Sequence, residues 1–239
     1  MMSKFDHRSQ EEELMDDLDS SGEVIDQTLR ELETINKWLG GNHVTISGLD
    51  QLLGRYNHIP EKLVIADLGC GGGDMLMLIA DWARKRRLQI ELTGIDANPH
   101  IIQFAKRNTK DYPEITYRCL NIFSEEFKQL QYDIATSTLF THHFDDQQLT
   151  SIFKTINHNA RLGMVINDLH RHWFAYHSIK TLTATFSKSE MVKNDAAVSV
   201  LRSFRKTELE NILNQSGLSD YTLKWMWAFR WQLVAWFSS

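Results

Sequence analysis

Between residues 65 and 74 the chain reads IADLGCGGGD: an apolar run, an acidic residue and a cluster of glycines. Gly69, Gly71 and Gly73 permit a sharp backbone turn and let a ligand approach the main chain with no Cβ atoms in the way. The residues that follow read as a helix, whose first N–H groups have no partner within the helix and can meet a polar ligand. The next apolar run, IELTGID (90–96), ends in Asp96. A carboxylate at the carboxyl end of a parallel strand can accept both hydroxyls of a ribose. The dinucleotide pattern G-x-G-x-x-G requires glycine at position 74, where this chain has Asp74. The spacing here is G-x-G-x-G, with Asp67 two residues upstream. An acid beside the turn repels a pyrophosphate and attracts a ligand that carries ammonium and sulfonium charges. These residues therefore favour S-adenosylmethionine over a nicotinamide dinucleotide.

A second group of residues could move a proton. His142 and His143 follow the run YDIATS (132–137), and His170 and His172 follow GMVIND (163–168), which ends in Asp168. An imidazole titrates near neutrality and can take a proton from a hydroxyl acceptor as it is alkylated. His143 and His142 are the candidate catalytic bases. Histidines one or two residues apart suit a single zinc ion poorly, so no metal is expected.

The elements that must hold these residues follow from the hydrophobic pattern. Ile25, Leu29, Leu32, Ile35 and Leu39 recur at spacings of three and four, one face of a helix, with Ser20 and Glu23 as a capping box and Gly40-Gly41 as the stop. From residue 63, short apolar runs at 63–68, 90–96, 115–119, 132–137 and 163–168 alternate with helical patterns. Such runs are strands buried on both faces, and the alternation implies a parallel, doubly wound α/β sheet. Residues 169–200 open with an aromatic stretch, HRHWFAYHSI, and turn polar, as a lid over an acceptor would. A helix at 206–215 and the Trp-rich segment 220–237, read as an antiparallel hairpin with its turn near Ala228, close the sheet.

Composition sets the outer limits. The chain has 239 residues, 42% hydrophobic and 24% charged, with a net charge of -5. That is ordinary globular composition, without the basic balance of a nucleic-acid binder. Two cysteines cannot frame a disulfide scaffold, no apolar run approaches a membrane span, and the acidic N-terminal stretch lacks a signal-peptide core. A cytoplasmic protein, monomeric or homodimeric, with no nucleic-acid partner, is expected.

ADLGCGGGD together with GIDANPHIIQFAKRN (94–108) resembles the class I S-adenosylmethionine-dependent methyltransferases, and the order of later elements through residue 237 is similar to theirs. The nearest likeness is the small-molecule branch, of the ubiquinone/menaquinone and polyketide or aromatic-pathway type. The resemblance implies a seven-stranded Rossmann-like sheet, mostly parallel with a C-terminal antiparallel hairpin and extra N-terminal helices. Residues 1–50 would form a helical extension capping the site, and 51–239 the Rossmann-like domain with its lid insertion. It also implies a set of cofactor contacts: Gly69, Cys70 and Gly71 along the methionine moiety, Gly73 for close helix packing, and Asp67 orienting the turn or reaching the ammonium. Asp96 would bind the ribose and Ala97 the adenine, Asn121 would accept from the adenine amino group with Ile122 against the ring, and Thr138 and Leu139 would lie near the sulfonium. The cofactor would be S-adenosyl-L-methionine, with S-adenosyl-L-homocysteine as product. The implied activity is O-methylation of a small hydroxylated aromatic or polyketide-like acceptor. C-methylation of a quinone-type ring and a non-catalytic S-adenosylmethionine-binding protein are the alternatives.

Overall fold

The computed structural model describes residues 3–18 and 20–237. Seven strands form one sheet in the order β3-β2-β1-β4-β5-β7-β6. They are β1 (Lys62–Leu68), β2 (Gln89–Asp96), β3 (Ile115–Cys119), β4 (Tyr132–Thr138), β5 (Ala160–Leu169), β6 (Tyr221–Met226) and β7 (Arg230–Trp236). The first five run parallel, and β7 pairs antiparallel with both β5 and β6. The mostly parallel sheet with its C-terminal hairpin is the expected one. The strand order reverses between β1 and β4, which opens a crevice at their carboxyl ends.

Helices cover both faces. On one side lie α2 (Gly41–Leu53), α3 (Asp74–Arg86) and α4 (Pro99–Asn108); on the other lie α5 (Glu125–Lys128), α6 (Asp146–Asn159) and α9 (Lys206–Gln215). Strands sandwiched in this way need apolar residues on both faces, hence the near-continuous burial of β4 and β5. Local signals start several helices where expected. The Asn98 side chain accepts from the N–H groups of His100 and Ile101, with Pro99 in the first turn, and Asp145 caps α6 through a capping box.

The N-terminal region departs from expectation. The first helix, α1 (Glu23–Trp38), starts at Gly22 with no side-chain cap, so Ser20 and Glu23 do not form the box. Gly40, in the left-handed conformation, stops it as expected, but α2 begins at the next residue. A boundary after residue 50 falls inside α2, and α2 belongs to the main core. Leu49 and Leu52 are fully buried, about 2 kcal/mol each by apolar transfer. Strand side chains also hold its main chain: Asn167 Nδ2 donates to Gly41 O at 2.9 Å, and Gln232 Nε2 donates to Val44 O at 2.7 Å. Large apolar residues alone do not delimit α2: Val44, Leu49 and Leu52 are five and three apart, and Thr45 and Gly48, which complete its buried face, carry no hydrophobic signal.

The lid segment is a helical hairpin, α7 (Trp173–Phe186) and α8 (Glu190–Arg202), joined to α1 by a Thr28–Ser189 hydroxyl contact of 2.9 Å. Residues 3–18 are pinned across α8 and the start of α6 as a strap. Leu14 and Met15 donate their N–H groups to the Asp195 carboxylate on α8 at 2.8 and 3.0 Å, and Arg8 pairs with Asp146 at 2.7 Å. No helix among the described residues is long and apolar enough to cross a membrane.

Candidate active site

A cavity of about 810 Å³ sits over the carboxyl ends of β1, β2, β4 and β5, roofed by α1, α7, α8 and the strap. Every residue predicted to bind or react lines it except Gly73. Gly73 caps α3 at φ +78, where an added Cβ would strike the Tyr117 hydroxyl, so its part is the close packing of helix on strand. Gly69 is held at φ +67, and a Cβ there would run into the Phe140 ring. The N–H groups of Gly69 and Cys70 both donate to Ile95 O, at 2.9 and 3.1 Å, which ties the turn to the end of β2.

Three carboxylates stand around this turn. Asp67 is buried and pushed up to about 7, mainly by burial, with Asp74 and Asp96 adding to it; the Thr136 hydroxyl donates to it at 2.7 Å. Burial likewise pushes Asp74 up to about 6, and raises Asp96 although the Asn98 N–H donates to it at 3.0 Å. Acids that resist ionisation because they crowd an enclosed space form a site suited to a cation. A glycine cradle without Cβ atoms and a cluster of negative charge therefore fit S-adenosylmethionine. The Cys70 thiol is pushed well above its ordinary range by burial, which leaves its backbone as the useful part. Asn121 Oδ1 accepts from the Phe123 N–H at 2.9 Å and keeps a second lone pair. Leu139 sits at φ +55, its N–H bound to Asn167 O at 2.8 Å, and the Thr138 hydroxyl meets Thr45 at 2.9 Å.

The structure separates the histidines. His142 is buried, with Nδ1 2.7 Å from Asp168 Oδ1, and its backbone N–H donates to the other carboxylate oxygen at 3.0 Å. On the far side of the ring, Nε2 lies 3.3 Å from Glu13 Oε1 of the strap, an ion-pair distance without hydrogen-bond alignment. Burial alone would lower this imidazole, but the two carboxylates outweigh it and push it up to about 10. Asp168 and Glu13 are both held below the usual carboxylate range, His142 overcoming their burial. His143 stacks on His142 and pairs with Asp16 at 2.6 Å, and Asp16 also meets Arg202. Glu13, His142 and His143 offer ligand atoms within 4.8 Å of one another, close enough for a metal ion to bridge. His143 Nδ1 already serves Asp16.

His170 and His172 lie outside this cavity. His172 caps α7 by accepting the Phe174 N–H at 3.2 Å, and His170 accepts from Trp225 Nε1 at 3.2 Å. Burial, together with the neighbouring His172 and Arg171 side chains, drops His170 to about 4. Of the aromatic residues in the stretch HRHWFAYHSI, Phe174 lines the cavity and Trp173 and Tyr176 do not. Glu13 and Asp16 carry no local signal in a polar N-terminal stretch, and Arg202 none as the last residue of α8. Asp168 was detectable as the carboxylate ending the strand beside β4.

This strand order, with a ligand crevice at the β1/β4 reversal, defines the class I S-adenosylmethionine-dependent methyltransferase fold. Residues 65–163 match the family described as Methyltransferase domain. Carboxy-S-adenosyl-L-methionine synthases from two Helicobacter pylori strains, HPAG1 and P12, are 31% identical over 110 residues and 28% identical over 106. The matches cover 46% and 44% of this chain, and span 44% and 41% of those proteins. The plantazolicin methyltransferase BpumL, solved with a triazolic desmethylPZN analog and S-adenosylhomocysteine, superposes with a TM-score of 0.65 at 16% identity, covering 88% of this chain and 90% of that one. Human N-acetylserotonin methyltransferase, solved with S-adenosylmethionine, superposes at 0.63 and 14% identity, covering 92% of this chain and 57% of that one.

Proposed function

We propose that the protein methylates a hydroxyl of a small aromatic or polyketide-like acceptor, with S-adenosylmethionine as donor. The observation that carries this reading is the His142–Asp168 pair in the wall of an enclosed cavity that also holds the acidic glycine turn. S-adenosylmethionine, when bound, supplies an electrophilic methyl group on sulfonium. Asp96 would hold the ribose hydroxyls, the Gly69–Gly71 main chain would line the methionine moiety, and Asp67 would balance its positive charge. Asn121 and Ile122 would serve the adenine, and Thr138 and Leu139 the sulfonium end. Phe174, Ile179 and Leu182 of α7 and Leu39 beyond α1 wall the rest of the chamber and exclude water. Asp168 fixes His142 through Nδ1 so that Nε2 is turned to Glu13, and the acceptor hydroxyl takes the place of Glu13 there. With one carboxylate gone, the imidazole falls towards neutrality and can accept the hydroxyl proton.

One observation favours methylation of a ring carbon instead: carboxylates stand 2.7 and 3.3 Å from the two ring nitrogens of His142, an arrangement that favours its charged form over its action as a base. Both readings are tested by incubating the protein with methyl-labelled S-adenosylmethionine and a panel of phenols, hydroxyquinones and polyketide fragments. Label in an O-methyl product, lost in His142→Ala, supports hydroxyl transfer. Label on ring carbon supports the alternative, and label in neither overturns both.

A further inference from the structure

Charge is divided across the cavity. The glycine turn carries Asp67, Asp74 and Asp96, whereas the wall beneath the terminal hairpin carries Arg230. Arg230 opens β7 and is 2% exposed. Its Nη1 donates to Asn167 Oδ1 at 3.3 Å, and its Nε has no partner. Among the described residues it forms no ion pair with a carboxylate. Asp168 lies near enough to favour its charge, but the oxygens of Asp168 are taken by His142, Thr141 and the Leu169 N–H. Burial lowers the guanidinium to about 10, so it remains a cation at neutral pH. A buried cation without a counter-ion costs several kcal/mol in a folded protein. Structural needs alone would be met by an apolar side chain of similar length. Asn36 Oδ1 is also buried and without a partner. An added Cβ at Gly41 would strike both Asn36 Oδ1 and the Arg230 guanidinium, so the two side chains converge over that glycine.

We propose that the methyl acceptor carries a carboxylate and that Arg230 is the residue that receives it. The inference rests on the methyl-transfer reading and narrows its substrate class to hydroxy acids. The planar guanidinium fork matches a carboxylate, and the enclosed apolar surroundings strengthen the pair. Asn36 Oδ1 supplies an acceptor for a hydroxyl on the same molecule. The opposed charges direct the cationic donor to the glycine turn and the anionic acceptor to the hairpin end.

The test is titration calorimetry of the full chain, saturated with S-adenosylhomocysteine, against hydroxybenzoates and hydroxycinnamates paired with their carboxamides. Acids are expected to bind at least tenfold more tightly than the matching amides. Arg230→Gln is expected to abolish that preference while S-adenosylhomocysteine affinity stays within twofold. Should Arg230→Gln fail to fold by circular dichroism, Arg230→Lys serves, and it is expected to weaken the acid but not the amide. Equal binding of acid and amide overturns the inference, as does the absence of saturable binding by any acid, or a preference that survives Arg230→Gln. If S-adenosylhomocysteine itself fails to bind, the methyl-transfer reading fails and this inference with it. If it binds and the acids show no preference, this inference alone fails.

Discussion

Asp67→Asn is expected to stabilise the ligand-free protein and to weaken its hold on S-adenosylmethionine. The carboxyl is fully buried, and its value moves from 3.8 to about 7 on folding. The folded state therefore binds extra protons between those values, and stability from this group falls as pH rises through the window. By linkage, the raised value of Asp67 costs under about 1 kcal/mol of stability at pH 4 and about 4 kcal/mol at pH 8. Asparagine keeps an acceptor for the Thr136 hydroxyl, but it buries two amide donors, at about 1–3 kcal/mol. The net gain is about 1–3 kcal/mol at pH 8, roughly 3–9 °C in Tm for a chain of this length. It should vanish or reverse near pH 4. Thermal unfolding of both proteins at pH 4, 6 and 8 reads the first half. Titration calorimetry with S-adenosylmethionine and S-adenosylhomocysteine reads the second, with about a tenfold loss for the sulfonium ligand and a smaller loss for the neutral thioether. A variant no more stable than wild type at pH 8, with a difference that does not change with pH, would show that Asp67 is not held against its charge.

Four further outcomes follow from the geometry. Gly69→Ala places a methyl group against Phe140 at a backbone angle that disfavours side chains, and should cut S-adenosylhomocysteine affinity at least a hundredfold by calorimetry; wild-type affinity would remove the turn from the binding site. His142→Gln and Asp168→Asn should each lower kcat about a hundredfold or more with S-adenosylhomocysteine affinity unchanged, and activity within threefold of wild type would exclude a base role. Glu13→Gln should move the His142 titration, followed by nitrogen NMR, down by at least one pH unit from its starting value of about 10, because one of the two carboxylates favouring the imidazolium is gone; an unmoved midpoint contradicts the clamp. Since the folded-state value of His142 is raised from 6.5 to about 10, its stabilisation is full below pH 6.5 and is lost as pH rises through 10, so Asp168→Asn should destabilise most near pH 6 in thermal unfolding.

The local sequence was enough for the parallel strands, the glycine turn, the acid closing β2 and the caps of α4 and α6. Each of these depends on a period or a backbone preference set within about ten residues. Burial on both faces makes the strands apolar, a positive φ calls for glycine, and an N-cap calls for Asn or Asp. The cavity wall around the glycine turn was legible for the same reason, because one strand, one turn and the next strand end build most of it. The opposite wall was decided by tertiary structure. His142 could be named from its place after β4, but not distinguished from His143. Only the pairing of β4 with β5 brings Asp168 to its ring, and only the strap, returning from more than a hundred residues away in sequence, sets Glu13 against its other nitrogen. Arg230 is one cation among the 26 lysines and arginines in the sequence. Its burial beside the cavity depends on α2 and the terminal hairpin closing over it, contacts between distant segments that no local pattern records.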